Sequence, residues 1–321
     1  MIKTPLSTVI GGAGIWTPKA TIVGTFGVKK TLDQLIKSLF SNNEVGFAYD
    51  PNDLTTLYQD AVGAIPVTGA GQPVGLLLDK SKEMALGGEL VTNGSFDNGT
   101  TGWVAEYQSA LSNVNGKLRV TATGVNPYGV QTVSGLQVGK AYKFTYAPFV
   151  KNGTGVWTII LGDRPYGYQA QYAIVREPAL SVGGSIIFTA TTTVLNIAMV
   201  GGLGTVVGDY ADFDNISVKE IAGNHAYQTT SSMRPLIVAS PQRLDFDIAE
   251  DNLITMLPMQ LTGCTVIRSV PNVGTQILTG QTIPTTYNDN TDHCGLIVVN
   301  RALTATETSQ LTKLFDKAAG V

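Results

Sequence analysis

Apolar residues follow two kinds of spacing along this chain, and each predicts a different element. Leu32, Leu35, Ile36, Leu39 and Phe40 recur at helical spacing behind a Thr31 and Gln34 pair set like a capping box, which predicts a short amphipathic helix. Its stripe fits either domain core or a seam against sister chains. A second helical turn is expected from Asp50-Pro51-Asn52-Asp53, with Asp50 as cap, Pro51 in the first helical position, and Leu54, Leu57 and Tyr58 on one face. From Glu89 to Glu220 the period falls to two. Leu118, Val120 and Ala122 share a face of one run, and Tyr142, Phe144 and Tyr146 share a face of another. Ser185 to Ala190, Leu195 to Met199 and Ile216 to Val218 repeat the pattern, with Gly and Asn between runs.

Apolar runs at Thr265 to Ile267 and Leu296 to Val299 predict further strands. A closing helix is expected after Thr304 and Glu307, with Leu311, Leu314, Phe315 and Ala318 as its stripe and Gly320 as a left-handed stop. Closely spaced strands with no helical period between them favour stacked antiparallel sheets over an α/β layout. The fold class expected is mainly β: two β-sandwich or jelly-roll domains, one inserted in the other, with short N-terminal and C-terminal helices.

Composition sharpens this picture. In 321 residues only 14% are charged and 36 are Gly, against roughly 25% charged in ordinary soluble domains. A surface so poor in charge is expected to be covered in part by other subunits. A formal net charge of −3, with no basic run, makes nucleic acid an unsuitable partner. No stretch reaches the roughly 18 apolar residues of a membrane-spanning helix, and Met1 to Ala20 lacks a signal-peptide pattern. Cys264 and Cys294 are too few for a disulfide framework; buried thiols and a single bridge both fit.

The segment Leu90-Val91-Thr92-Asn93-Gly94-Ser95-Phe96-Asp97, with Gly102-Trp103, resembles the opening strand of carbohydrate-binding modules with a galactose-binding-like jelly roll. Asp212-Phe213-Asp214-Asn215-Ile216-Ser217-Val218-Lys219 is similar to their closing strand, and Gly135-Leu136 with Gly139-Lys140-Ala141-Tyr142 to their central turn and the strand after it. Outside this block the chain resembles phage tail and virion proteins with a concanavalin A/laminin-G-like fold. The likeness is carried by Phe47-Ala48-Tyr49-Asp50-Pro51, Gly71 to Ser81 with its Leu78-Asp79-Lys80-Ser81, Gly223-Asn224-His225-Ala226, Arg234-Pro235, Leu244-Asp245-Phe246-Asp247 and Asn300-Arg301-Ala302-Leu303. In that class the Leu-Asp-Lys-Ser and Gly-Asn-His-Ala stretches nearly adjoin. The organisation implied is a discontinuous host domain at 41–86 plus 222–321 around an inserted module at 87–221; residues 1–40 match neither family and are expected to serve as an attachment or oligomerisation segment.

These resemblances imply a virion protein, on the tail or capsid surface of a phage particle and made in the host cytoplasm, with a host-surface polysaccharide, other virion proteins and further copies of itself, in a trimer, as partners. Sugar binding uses flat aromatic faces and a few polar groups. If Asp163 to Tyr172 is extended, Tyr166, Tyr168 and Tyr172 share a face with Arg164, while Gln169 and Gln171 lie opposite. Trp157 and Tyr128 are further candidates. Core packing or a subunit interface would account for the same aromatics, and Trp103 belongs in the core.

The module family's structural calcium would fall to Asp97 and Asp214 here, although Asp97 stands where Glu is commoner. Turn-forming carboxylates are the simpler account. No enzyme is expected: His225 and His293 come without a nucleophile elbow or a metal-binding helix motif. A glycosidase needs only two carboxylates about 5 to 10 Å apart, so a capsule-degrading enzyme stays open as a third function. A purely architectural capsid-decorating, head-fibre or baseplate role is the second.

Overall fold

The computed structural model describes residues 30–162, 172–247 and 249–321. The protein is mainly β and has sandwich or jelly-roll architecture. No sheet mixes strands from 86–221 with strands outside that range.

The outer portion of the chain builds two facing sheets. One contains, in spatial order, Gly46–Tyr49, Gly295–Val299, Leu261–Val270 and Gly274–Ile283. The other contains Leu57–Tyr58, Leu76–Leu77, Ala226–Tyr227, Leu253–Met256 and Thr286–Asp289. Phe47, Tyr49, Leu77, Leu253, Leu296 and Val298 fill the space between the sheets. The opposite face of the first sheet is covered by helices α1 (Leu32–Leu39) and α2 (Ala305–Ala319), which bury Leu35, Ile36, Leu39 and Phe315 against Ala48, Ile267 and Ile297. With cover on both sides, Gly46–Tyr49 and Gly295–Val299 are buried at every position. That explains why they read as continuous apolar runs rather than alternating ones.

Both helices begin with the capping boxes expected from sequence, and Gly320 stops α2 at φ 84°. The stripe of α1 is core of this unit, which therefore reaches into the segment assigned to attachment; residues 1–29 lie outside the described residues. In α2 the buried stripe is Leu311, Phe315 and Ala319 rather than Ala318. The turn expected at Asp50 forms later. Asp53 caps a short helical turn at Leu54–Thr56, Asp50 closes a preceding turn by accepting the Asn52 N–H, and Leu57–Tyr58 is strand. A proline one residue after Asp50 left the cap position ambiguous, and the carboxylate next to the helical residues took it.

Residues 86–221 form three antiparallel sheets. The five-stranded one runs Ala173–Arg176, Trp157–Gly162, Val194–Gly201, Tyr128–Ser134, Val104–Glu106. The first four-stranded sheet runs Gly184–Thr189, Ala141–Tyr146, Ser217–Ile221, Leu86–Glu89, and the second Val150–Asn152, Tyr210–Phe213, Lys117–Ala122, Ser109–Val114. Their common core includes Phe96, Trp103, Leu118, Phe144, Trp157 and Phe213. The opening motif is corrected by the structure: its strand is Leu86–Glu89, and Thr92 to Gly102 is chiefly turns. It still docks on the closing strand, because Ile216 N–H donates to the Gly94 carbonyl and any Cβ on Gly94 would overlap the Ile216 carbonyl oxygen.

Cys264 and Cys294 are free and buried. Thr265 pairs with Val299 and Ser269 with Gly295, so the register separates the two cysteines by about six residues along adjacent strands. At roughly 3.3 Å per residue that far exceeds the ~7 Å Cα limit of a disulfide. The bridge left open by sequence does not form in this fold.

Candidate functional site

Two groups of residues carry the chemistry of this chain. The first lies where residues 86–221 leave and rejoin the outer sheets. The outgoing strand Leu76–Leu77 pairs with the returning Ala226–Tyr227, and the Leu-Asp-Lys-Ser and Gly-Asn-His-Ala stretches meet beside it. The fully buried Asp79 carboxylate accepts from the N–H groups of Ala48 (2.8 Å), Ser81 (2.8 Å) and Asn224 (2.7 Å) and from the Ser81 hydroxyl (2.8 Å). His225 Nδ1 accepts from Asp79 N–H at 2.9 Å, and Nε2 lies 3.0 Å from the Ile221 carbonyl. That pattern requires the neutral tautomer protonated at Nε2. Lys80 is held by Asp33, Asp50 and Asp53, tying α1 to the same point. Lys140 Nζ donates to the Gly223 carbonyl at 3.2 Å, and Leu76, Leu78, Ala141 and Ile221 pack together across the boundary.

Asp79 and His225 themselves are buried, and their polar side-chain atoms are taken up by hydrogen bonds to the outgoing and returning chain. His293 is equally closed off: its Nε2 lies 2.7 Å from Asp289, and both side chains are fully buried.

Burial pushes His225 down to about 4 from an ordinary 6.5, which gives the junction a pH dependence. The unfolded chain takes up this proton near pH 6.5, whereas the folded chain refuses it until about pH 4. Stability is therefore complete above pH 6.5 and is lost as pH falls toward 4, by about 3 kcal/mol in all. Burial raises Asp79, so its protonation in the folded chain as pH falls opposes the trend. Melting temperature followed from pH 7.5 to 4.5 is expected to fall, and to fall less steeply in His225→Asn. Equal slopes would remove His225 as the cause.

The second group comes from strand register. Cross-strand pairing places Glu106, Tyr128, Val200, Thr158 and Arg176 in one row across all five strands of the larger sheet, on the face turned away from the core. A parallel row holds Val104, Val130, Ala198, Ile160 and Ile174. At about 4.8 Å between strands, each row is roughly 19 Å long. Tyr128, Val130, Ile160, Ala198 and Val200 form a buried apolar floor. The Tyr107 ring lies 4.9 Å from that of Tyr128 and is 62% exposed. Its backbone holds φ at 53°, a left-handed conformation that bulky residues rarely adopt. Glu106 Oε2 is buried with no hydrogen-bond partner among the described residues. Along the first row only the charged ends, Glu106 and Arg176, and the neighbouring Tyr107 reach solvent, while Tyr128, Val200 and Thr158 between them are buried.

The sequence-derived candidates divide. Tyr128 points to this face but is itself buried, with its ring against that of the exposed Tyr107. Trp157 does not: it is fully buried, edge-on to Phe213 with ring centroids 6.1 Å apart. Tyr172 is also core, packed on Phe188 at 4.8 Å with its hydroxyl accepting from Thr191 N–H. Neither offers a ring face to a ligand. Arg164, Tyr166, Tyr168, Gln169 and Gln171 lie outside the described residues. Glu106, Tyr107, Thr158 and Arg176 were missed. A Glu-Tyr pair soon after the Gly-Trp motif was the one local hint, and their grouping depends on register between distant strands.

The residues do not fit the implied calcium. Asp97 is exposed and accepts from the Ser95 hydroxyl, Asp214 accepts from Asn215 N–H, and no group of three or more His, Cys, Asp or Glu gathers around a metal-sized point among the described residues. Calcium takes six to eight oxygens. The joining of chain ends expected of the metal is done by Glu89, whose carboxylate accepts from Val218 N–H (2.9 Å) and the Ser217 hydroxyl (2.6 Å).

The class defined by these features is a mainly β chain with a sandwich of sheets at 86–221. No family model matches the chain, and no curated protein matches it. Among solved structures it is similar to CBM4 (21% identity, TM-score 0.31, covering 39% of this chain and 99% of that one). It is also similar to TmCBM61 in complex with β-1,4-galactotriose (15% identity, TM-score 0.30, covering 41% and 97%). A third is the enzymatically active domain of bacteriophage CBA120 tailspike protein 4 (15% identity, TM-score 0.31, covering 41% and 21%).

Proposed function

We propose that this chain is a non-enzymatic phage virion protein, exposed on the tail or capsid surface, whose 86–221 sandwich binds a host-surface polysaccharide on the outer face of its five-stranded sheet. The observation that supports the binding site is the exposed Tyr107 ring against Tyr128 at the Glu106 end of the row, where a Glu106 oxygen has no hydrogen-bond partner among the described residues. Aromatic faces suit the apolar faces of sugar rings, and a buried acceptor without a donor suits a hydroxyl. The virion setting rests on the sequence resemblance of the outer segments. Many weak sites on one particle would act through avidity.

The full chain is expected to bind host-surface polysaccharide in affinity electrophoresis without releasing reducing ends. Glu106→Ala and Tyr128→Ala should each weaken binding about tenfold, or ~1.4 kcal/mol. Release of reducing ends would overturn the non-enzymatic reading.

Absence of binding would favour the architectural reading, which has its own observation. Val125, Val156, Leu203, Val206 and Val207 are exposed on loops at one end of the sandwich, two of them joined where Val156 N–H donates to the Leu203 carbonyl and Gly202 N–H to the Val156 carbonyl. Such a cluster suits a protein neighbour.

A further inference from the structure

The two edges of the helix-covered sheet are treated differently by the fold. At the Gly46–Tyr49 edge the outward backbone groups are engaged: Ala48 N–H donates to Asp79 (2.8 Å), the Ala48 carbonyl accepts from Lys80 N–H (2.9 Å), and the Gly46 carbonyl accepts from the Asn224 amide (2.8 Å). At the other edge, Gly274–Ile283 pairs with Leu261–Val270 and with no other described strand. Among the described residues two of its backbone groups are taken by side chains: Thr275 N–H, at its start, donates to Asp316, and the Thr279 carbonyl accepts from the Gln281 amide at 2.9 Å.

Natural proteins guard open edges with charge, proline, bulges or short length. This strand is ten residues long, Gly-Thr-Gln-Ile-Leu-Thr-Gly-Gln-Thr-Ile, without a charge or a proline. Its irregularity is confined to the far half, where the register shifts between Leu261 and Val266 and Gly280 takes φ 68°. From Gly274 to Leu278 the pairing is continuous with Val270 to Val266. One side of that stretch is braced under α2, where Ile277 packs on the helix-side core and the Thr275 hydroxyl bonds Asp316. On the other side Leu278 is 43% exposed.

We propose that this edge pairs antiparallel with the same strand of a second copy of the chain, joining two four-stranded sheets into one of eight across a two-fold axis. Centring the axis on Ile277 sets Ile277 against itself, Gln276 against Leu278 and Thr275 against Thr279. A two-fold contact must be self-complementary, and a stretch with no charge brings no like charges together. A different protein would need features to specify it, and this edge carries only backbone groups and neutral side chains. About five paired residues make a small contact, so association is expected in the micromolar range.

Sedimentation of the full chain between 1 and 200 μM should show a monomer–dimer equilibrium. Gln276→Lys with Leu278→Lys should shift it to monomer with the melting temperature held within about 2 °C. Gln276→Cys with Leu278→Cys should give a reducible dimer on oxidation, whereas Leu203→Cys, on an exposed loop of the 86–221 sandwich, should not. A monomer throughout the range, a trimer, a dimer that survives the lysines, or cross-linking at Leu203 instead would each overturn the proposal. None of these outcomes bears on glycan binding, which is measured separately.

Discussion

Asp79→Ala is expected to destabilise the protein by about 4 kcal/mol, the cost of leaving several buried donors without an acceptor. The carboxylate serves three backbone N–H groups and one hydroxyl from three separate segments: Ala48 in a strand, Ser81 on the outgoing chain and Asn224 on the returning chain. Hydrogen bonds to a charged group are worth about 1.5 to 3 kcal/mol each and are not additive. The summed loss is therefore well below four times that range, but it is a large part of the 5 to 15 kcal/mol that stabilises a typical protein. Asp79→Asn keeps the shape and two acceptor positions yet turns an amide donor toward other donors, and should cost about 2 kcal/mol. Urea unfolding of both variants checks this. A loss below 1 kcal/mol for the alanine variant would mean that the junction is held by strand pairing alone.

Trp157→Ala should cost a similar 3 to 5 kcal/mol, for a different reason. The indole is fully enclosed by the 86–221 core, against Phe213, and its removal leaves a cavity as well as forfeiting buried apolar area. Trp157→Phe is the informative partner. The indole Nε1 has no hydrogen-bond partner among the described residues, so phenylalanine sacrifices volume but no hydrogen bond and should cost only about 1 kcal/mol. Polysaccharide binding by Trp157→Phe is expected to match that of the parent protein. Weaker binding with unchanged melting would place the ring at the sugar rather than in the core.

Sequence reading succeeded where the determining interactions are local. The capping boxes at Thr31 and Thr304, the Gly320 stop and the alternating strands from Lys117 to Val218 each follow from side chains a few residues apart acting on their own backbone. It erred where two local solutions compete within a few residues, as at Asp50 and Asp53, or where turns and strand continue one another, as in Leu90 to Trp103.

Which aromatic becomes core and which becomes surface was a different matter. Alternation assigns Trp157, Tyr172 and Tyr128 to faces, but it does not say which face meets another sheet. Likewise the Asp79 and His225 stretches read as family marks, and their contact across 146 positions emerged only when the chain closed on itself. Elements, caps and the mainly β class were legible along the chain because they depend on periods of two and 3.6 within one strand or helix. The row from Glu106 to Arg176, the locked junction and the open edge emerged only in the fold. Each of these depends on register between strands far apart in the chain, and a slip of one residue would turn every side chain of a strand to the opposite face.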